Sequence, residues 1–321
     1  MTNHLRTSRP RFAVGRSTMK RGLVSAVAMA SCAVVALPGA AQAGPAPVAP
    51  DARTATVVKT AASTQEPANV PVSGTATTAA ASSWYNTVRY NRLYKYGGPI
   101  GISRCASPRY ALNTLAGIQA YHANFLSCLN TAWSGNLKKA GLPFRIPRLY
   151  YYQSSYNTAC GPISGLAYYC SANGGQIWIP WTVYRTWNAQ NSLWTRTFVA
   201  QTIAHEYGHH VQYLSGILGA SWNRQRYTFS TSADKLEESR RRELQATCFG
   251  GGYLGADRRY FPMGGAFYDQ WKWTIYHMGD SAGRPRDHGS YQNNGFWAFR
   301  GFTYHTSGSC ITWAVSDTMV S

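Results

Sequence analysis

Thr202-Ile203-Ala204-His205-Glu206-Tyr207-Gly208-His209-His210-Val211-Gln212 is the stretch on which the reading of this chain turns. On a helix, residues four apart lie about 40° out of register, so His205 and His209 share a face and can hold one ion. Glu206 is turned by about 100° from His205. That is a poor place for a third ligand but within reach of water at the ion, where a carboxylate acts as general base. Phe198, Val199, Ile203, Val211, Leu214 and Leu218 recur at helical spacing and predict a helix over about 193–218. Gly208 costs about 1 kcal/mol against Ala inside a helix, so it implies another backbone passing close to the metal face. His210 turns away from that face and reads as structural.

A catalytic zinc ion needs a third protein ligand and one open position. The extended metzincin pattern requires Gly at 212 and His at 215; Gln212 and Ser215 exclude it, and the reversed His-x-x-Glu-His order is absent. The best remaining donor is Glu243, in a helix predicted over about 233–249 that presents Leu236, Glu243, Thr247, Gly250 and Gly251 on roughly one side. Asp234, Glu237, Glu238, His277 and His288 are rival donors. His288, beside Asp287, is also the candidate donor to an oxyanion, with Asp287 holding its ring. A helix-capping Asp next to an incidental His is the competing reading.

Before this stretch the chain changes character twice. Residues 1–21 hold six basic and no acidic side chains, Gly22 to Leu37 is apolar, and Ala41-Gln42-Ala43 offers small residues for cleavage. Residues 1–43 therefore read as a secretory signal peptide, too short and wrongly flanked for a membrane span, with Met19 as an alternative start. Met29-Ala30-Ser31-Cys32 faintly matches a lipoprotein cleavage box but lacks its usual Leu. Residues 44–83, rich in Ala, Thr, Ser and Pro, read as a disordered linker or propeptide. Aromatics become dense at Trp84, and 84–321 reads as one domain without repeats.

Within that domain a helix is expected over 111–140, strands over 147–152 and 175–179 with a Gly- and Ser-rich loop between, and further helices near 267–277 and 294–302. Strands preceding paired helices give an α+β class. The strand over 176–179 offers either an edge for an extended peptide or an interior position.

Cleavage after Ala43 leaves an even set of cysteines, Cys105, Cys128, Cys160, Cys170, Cys248 and Cys310, suited to an oxidising exterior. Nearest-neighbour pairing is the simplest of the 15 possible connectivities. Loss of the leader removes six of 31 basic residues and leaves a net charge of +13. Such a balance suits solubility or an anionic cell-envelope polymer. The run Arg240-Arg241-Arg242 reads as the solvated face of a helix, and no specific nucleic-acid motif accompanies it.

The stretch His205–Gln212 resembles the bacterial neutral zinc metallopeptidase family. So do Glu243-Leu244-Gln245-Ala246 with Cys248-Phe249, Asp287-His288-Gly289-Ser290, Phe299-Arg300-Gly301-Phe302, Cys160-Gly161, Tyr169-Cys170 and Cys128-Leu129-Asn130. The resemblance covers about 91–310. It implies a zincin-like, gluzincin-type peptidase with one zinc ion, Glu243 at the third ligand position, and the neighbouring cysteine pairings. The family usually has Asp where this chain has Thr247, which would orient a ligating histidine from outside the metal shell.

The expected function is that of a secreted zinc peptidase acting on peptides or proteins, exported or retained at the cell envelope, with no membrane span in the mature chain. Two further functions compete with it. One is a cell-envelope-binding protein with a structural or vestigial zinc, in which aromatics such as Trp271 and Trp273 would stack on sugars if exposed, although core packing is their commoner role. The second is a zinc amidase acting on peptidoglycan.

Overall fold

The computed structural model describes residues 77–105, 110–283 and 285–321. The signal-like leader, residues 44–76 and Cys32 lie outside them. Thr77 accepts the N–H of Ala80 through Oγ1 and caps α1 (Thr78–Arg89), which α2 (Arg92–Tyr96) follows. Helical structure thus starts six residues ahead of Trp84, where the tether was expected to end. An Ala-rich run behind a Thr cap forms helix readily, whatever its lack of aromatics. Thr114 caps α3 (Leu115–Lys139), close to the span that periodicity predicts.

Five strands come next: β1 (Arg148–Tyr152), β2 (Ser155–Thr158), β3 (Gly161–Ser164), β4 (Tyr168–Cys170) and β5 (Gln176–Pro180). β5 lies in the middle of a three-stranded sheet, parallel to β1 and antiparallel to β4, while β2 and β3 form a separate hairpin. All five residues of β5 are buried, as expected of a strand covered on both faces. The edge reading of 176–179 is therefore corrected: β1 and β4 are the outer strands of the sheet. The expected Gly- and Ser-rich loop contains β2, β3 and β4.

The rest is helical: α4 (Trp181–Gln190), α5 (Ser192–Leu214), α6 (Ile217–Asn223), α7 (Ser232–Ala256), α8 (Gly265–Ile275) and α9 (Tyr291–Tyr304). The predicted helix over 193–218 is two helices, because Gly216 adopts φ +78° and ends α5. α7 runs past 249 in spite of Gly250, Gly251, Gly252 and Gly255. There, packing overrides propensity. A Cβ on Gly251 would stand 2.1 Å from Ala298 O, and one on Gly301 would stand 2.0 Å from Cys248 O, so α7 and α9 touch backbone to backbone.

The described residues thus form mostly helices with a three-stranded sheet and a separate hairpin, and α5 packs against α3, α4, α7, α8 and β4. Trp133 meets Phe249 edge-on at 5.2 Å within the core. Trp271 is fully buried, its Nε1–H donating to Gln201 Oε1, so the sugar-stacking role offered for it is corrected. Trp273 is half-buried and stacks on His277. The solvated reading of the arginine run fails for two of its three members. Arg241 reaches the carbonyls of Thr312 and Val315 and the carboxylates of Glu237 and Asp317, while Arg242 is 1% exposed.

The six cysteines pair at disulfide distance as nearest neighbours, Cys105–Cys128, Cys160–Cys170 and Cys248–Cys310. Among the described residues no helix is long and apolar enough to cross a membrane.

Candidate metal centre

α5 and α7 meet where neither carries a bulky side chain. A Cβ on Gly208 would lie 2.7 Å from Ala246 O, and one on Gly250 would lie 3.0 Å from His205 N. The close approach brings His205, His209 and Glu243 together. Their donor atoms form a triangle: His205 Nε2 to His209 Nε2 is 3.1 Å, His209 Nε2 to Glu243 Oε2 is 3.0 Å, and His205 Nε2 to Glu243 Oε2 is 3.4 Å. Ligands about 2.0–2.1 Å from a tetrahedral zinc stand about 3.3 Å apart, so the triangle has the right size.

The hydrogen-bond directions also fit. Ile275 O can only accept, so the amide nitrogen of Asn294, 2.6 Å away, faces it and leaves Asn294 Oδ1 as an acceptor. Thr247 Oγ1 donates to that oxygen at 3.2 Å, and so must accept from His205 Nδ1 at 3.0 Å. A second chain sets His209. Gln245 Nε2 donates to Cys310 O, Gln212 Nε2 donates to Arg242 O and to Gln245 Oε1, and Gln212 Oε1 accepts from His209 Nδ1 at 2.9 Å. Both Nδ1 atoms carry hydrogen, so both Nε2 atoms turn lone pairs towards Glu243. Only a cation, or a second proton on a histidine, can join such a set.

The charges follow from this crowding. Burial pushes His205 down to about 4. Burial also acts against His209, but the Glu243 charge outweighs it and raises that ring above its ordinary range. Burial works to raise Glu243, yet His209 and His205 hold its carboxyl well below the usual carboxylate range. Arg242 adds a buried cation: its guanidinium lies over Trp222 at 4.0 Å, and its Nε is 3.7 Å from Glu243 Oε1.

Glu206 is buried beside the triangle and is pushed up to about 7, chiefly by desolvation, against the pull of His209. It also accepts a hydrogen bond from the backbone N–H of Tyr169, which ties it to β4. His210 holds the same tyrosine. Its Nε2–H donates to Arg145 O, leaving Nδ1 to accept from Tyr169 Oη at 3.0 Å.

His288 arrives from the α8–α9 connection, where Asp280 Oδ2 accepts the N–H groups of Asp287 and His288. Its Nδ1 is 2.7 Å from Asp287 Oδ1 and its Nε2 is 3.8 Å from Glu243 Oε2. Burial acts to lower this histidine, but Asp287 and Glu243 push it up to about 10.

The rival donors on α7 and just after α8 are engaged elsewhere. Glu237 pairs with Arg241, Glu238 with Arg224 and the indole of Trp313, Asp234 with Thr231, and His277 with Trp273. Asp280, Asp287 and His288 form a second close group, but Asp280 Oδ2 there is already occupied by two backbone donors. Sequence reasoning missed Gln212, Asn294 and Arg242. Gln212 carried a signal, a polar side chain one turn past His209; Asn294 carried none.

Residues 106–259 match the family model described as "Putative neutral zinc metallopeptidase". The match takes in the whole triangle and stops short of Asp287, His288 and Asn294. Two curated proteins, both named "Uncharacterized protein YpfJ", from Escherichia coli strain K12 and from Escherichia coli O6:H1 strain CFT073, are each 34% identical over 130 residues. Those residues are 39% of this chain and 44% of each relative, so the chain spans less than half the length of the relatives it matches. No solved structure matches.

Proposed function

We propose that the chain is an exported zinc peptidase of the zincin-like, gluzincin type. His205, His209 and Glu243 would be its ligands and Glu206 its general base. One observation carries the reading: three donor atoms 3.0–3.4 Å apart, two of them imidazole nitrogens whose tautomers direct lone pairs at the same point. Zinc at these donors would supply Lewis-acid chemistry, acidifying water and polarising a carbonyl. Three protein donors instead of four favour a catalytic over a structural ion.

Glu206 is suited to its part by burial, since a carboxylate raised towards neutral pH can take a proton from water and hand it to the leaving amine. His288, held by Asp287 and charged at neutral pH, would donate from Nε2 to the oxyanion. Of the two outer strands, β4 is the one an extended substrate would join, because its Tyr169 N–H already reaches Glu206.

Export is supported by the leader and by three cysteine pairs at disulfide distance. An anionic partner, such as an envelope polymer, is supported by the absence of any Asp or Glu from residue 67 to 205, a span with 11 Lys and Arg.

The test is zinc content and peptide cleavage for the wild type, Glu206→Gln and Glu243→Ala. Glu206→Gln should keep zinc and lose cleavage, and Glu243→Ala should lose both. Unchanged zinc in Glu243→Ala would remove it from the ligand set. Zinc-loaded wild type that cleaves no peptide, but releases peptide from peptidoglycan, would favour an amidase.

A further inference from the structure

We infer that Asn294 is a positioning residue for the metal centre, and that Thr247 and Asn294 together do the orienting work of a single carboxylate behind His205. The inference rests on the reading of His205, His209 and Glu243 as metal ligands. A ligating histidine needs a partner that holds its far N–H and fixes its ring. A lone threonine serves poorly, because its hydroxyl can rotate and present either a hydrogen or a lone pair. Here the hydroxyl has no such freedom. Asn294 Oδ1 receives it at 3.2 Å, and Asn294 Nδ2 is anchored on Ile275 O at 2.6 Å. The hydrogen of Thr247 points at Asn294, its lone pair faces His205 Nδ1 at 3.0 Å, and His205 Nε2 is left unprotonated on the metal side.

The relay is buried and spans three elements. Thr247 and Asn294 are 4% and 5% exposed, α7 and α9 supply one residue each, and the anchoring carbonyl closes α8. Its geometry depends on the backbone contact between α7 and α9 at Gly251 and Gly301. Secluded from water, each hydrogen bond constrains the next, and the neutral pair adds no buried charge beside Arg242, Glu243 and Glu206. The preference for threonine over aspartate at 247 thus has a physical basis in a residue 47 positions away.

The test is a double-mutant cycle on zinc affinity, read by chelator competition, with unfolding of the chelated protein recorded in parallel. Thr247→Val and Asn294→Ala should each weaken zinc by about 10-fold or more. The double variant should be no weaker than the worse single variant, because Asn294 acts only through Thr247. Thr247→Ser should restore affinity. Asn294→Asp, which keeps an acceptor towards Thr247 but loses the donor to Ile275, should be less stable and still bind zinc nearly as the wild type does. Long-range proton–nitrogen spectra should show the His205 Nδ1–H in the wild type and its loss of order in Thr247→Val.

Losses that multiply in the double variant would overturn the inference, as would zinc affinity within about two-fold of wild type in Asn294→Ala. Should Asn294→Ala fail to fold, Asn294→Asp decides: a zinc loss as large as that of Thr247→Val overturns the relay. Wild type that binds no zinc at all would instead overturn the metal-centre reading beneath it.

Discussion

His209 Nδ1 and Gln212 Oε1 are 2.9 Å apart, one helical turn from each other on α5. The Gln212 side chain cannot turn over, because its nitrogen is bonded to Arg242 O and Gln245 Oε1. The same pair therefore orients a ligand candidate and stitches α5 to α7. Gln212→Leu should weaken zinc binding by about 10–100-fold. It should also cost about 1–3 kcal/mol in the chelated protein, because the carbonyl of Arg242 and the amide of Gln245 lose a buried partner. Equilibrium dialysis and urea unfolding measure the two effects separately. A stability loss with unaltered zinc binding would leave Gln212 a structural link only.

The contact between α5 and α7 makes opposite predictions for two helical glycines. Gly208→Ala gains helix propensity, but its Cβ would press on backbone, 2.7 Å from Ala246 O and 2.9 Å from Ala246 Cα. Backbone cannot step aside, so the helices must separate. The expected cost is about 1–3 kcal/mol, with zinc binding impaired as His205 and His209 draw away from Glu243. Gly219→Ala in α6 has nothing within 4 Å of the new Cβ and should stabilise the protein by about 0.4–1 kcal/mol. Thermal unfolding of both variants checks the pair of signs.

These relationships show what could be read from the chain and what could not. The α5 and α7 helices, the shared face of His205 and His209, and the close approach at Gly208 follow from local periodicity and one out-of-place glycine. β1 and β5 follow from short apolar runs. The burial of Arg241 and Arg242 was not legible, because it depends on a C-terminal segment about 70 residues away and on Trp222. The placing of 176–179 at the centre of the sheet depends on β4, three residues long and inside a stretch that reads as loop. Asn294 was invisible for the same reason: its partners Thr247 and Ile275 lie on two separate helices, and no spacing rule connects them.

Two buried histidines away from the candidate ligand face set an acid limit on stability. His122 lies under Tyr184 with its Nδ1 2.7 Å from Ile118 O, and burial pushes it down to about 4. Burial likewise pushes His210 down to about 4. In the unfolded chain both take up protons near pH 6.5, whereas in the folded chain they resist until about pH 4. Between those values the unfolded state binds more protons. Stability is therefore fully present above about pH 6.5 and falls as the pH drops towards 4, by on the order of 2–3 kcal/mol for a fully buried histidine. Urea midpoints of the chelated protein from pH 7 to 4.5 should show this slope, and His122→Phe should be flatter than wild type. An identical slope in that variant would remove His122 from the acid limit.

Thr247→Asp looks like a repair, since it restores the carboxylate that the resembling family carries, but the surroundings argue otherwise. The new carboxylate would face Asn294 Oδ1, an acceptor, in a position only 4% exposed. Turning the amide over to donate would strip Ile275 O of its partner at 2.6 Å and leave a buried carbonyl unpaired. Thr247→Asp alone should therefore bind zinc no more tightly than wild type and unfold at lower urea. Combined with Asn294→Ala, which removes the opposing oxygen, the aspartate can take His205 Nδ1 directly. The double variant should then bind zinc more tightly than Thr247→Asp. Chelator competition on the four proteins decides the matter: a tenfold gain from Thr247→Asp alone would mean that the threonine–asparagine pair is the weaker device and that the aspartate is tolerated without Asn294 moving.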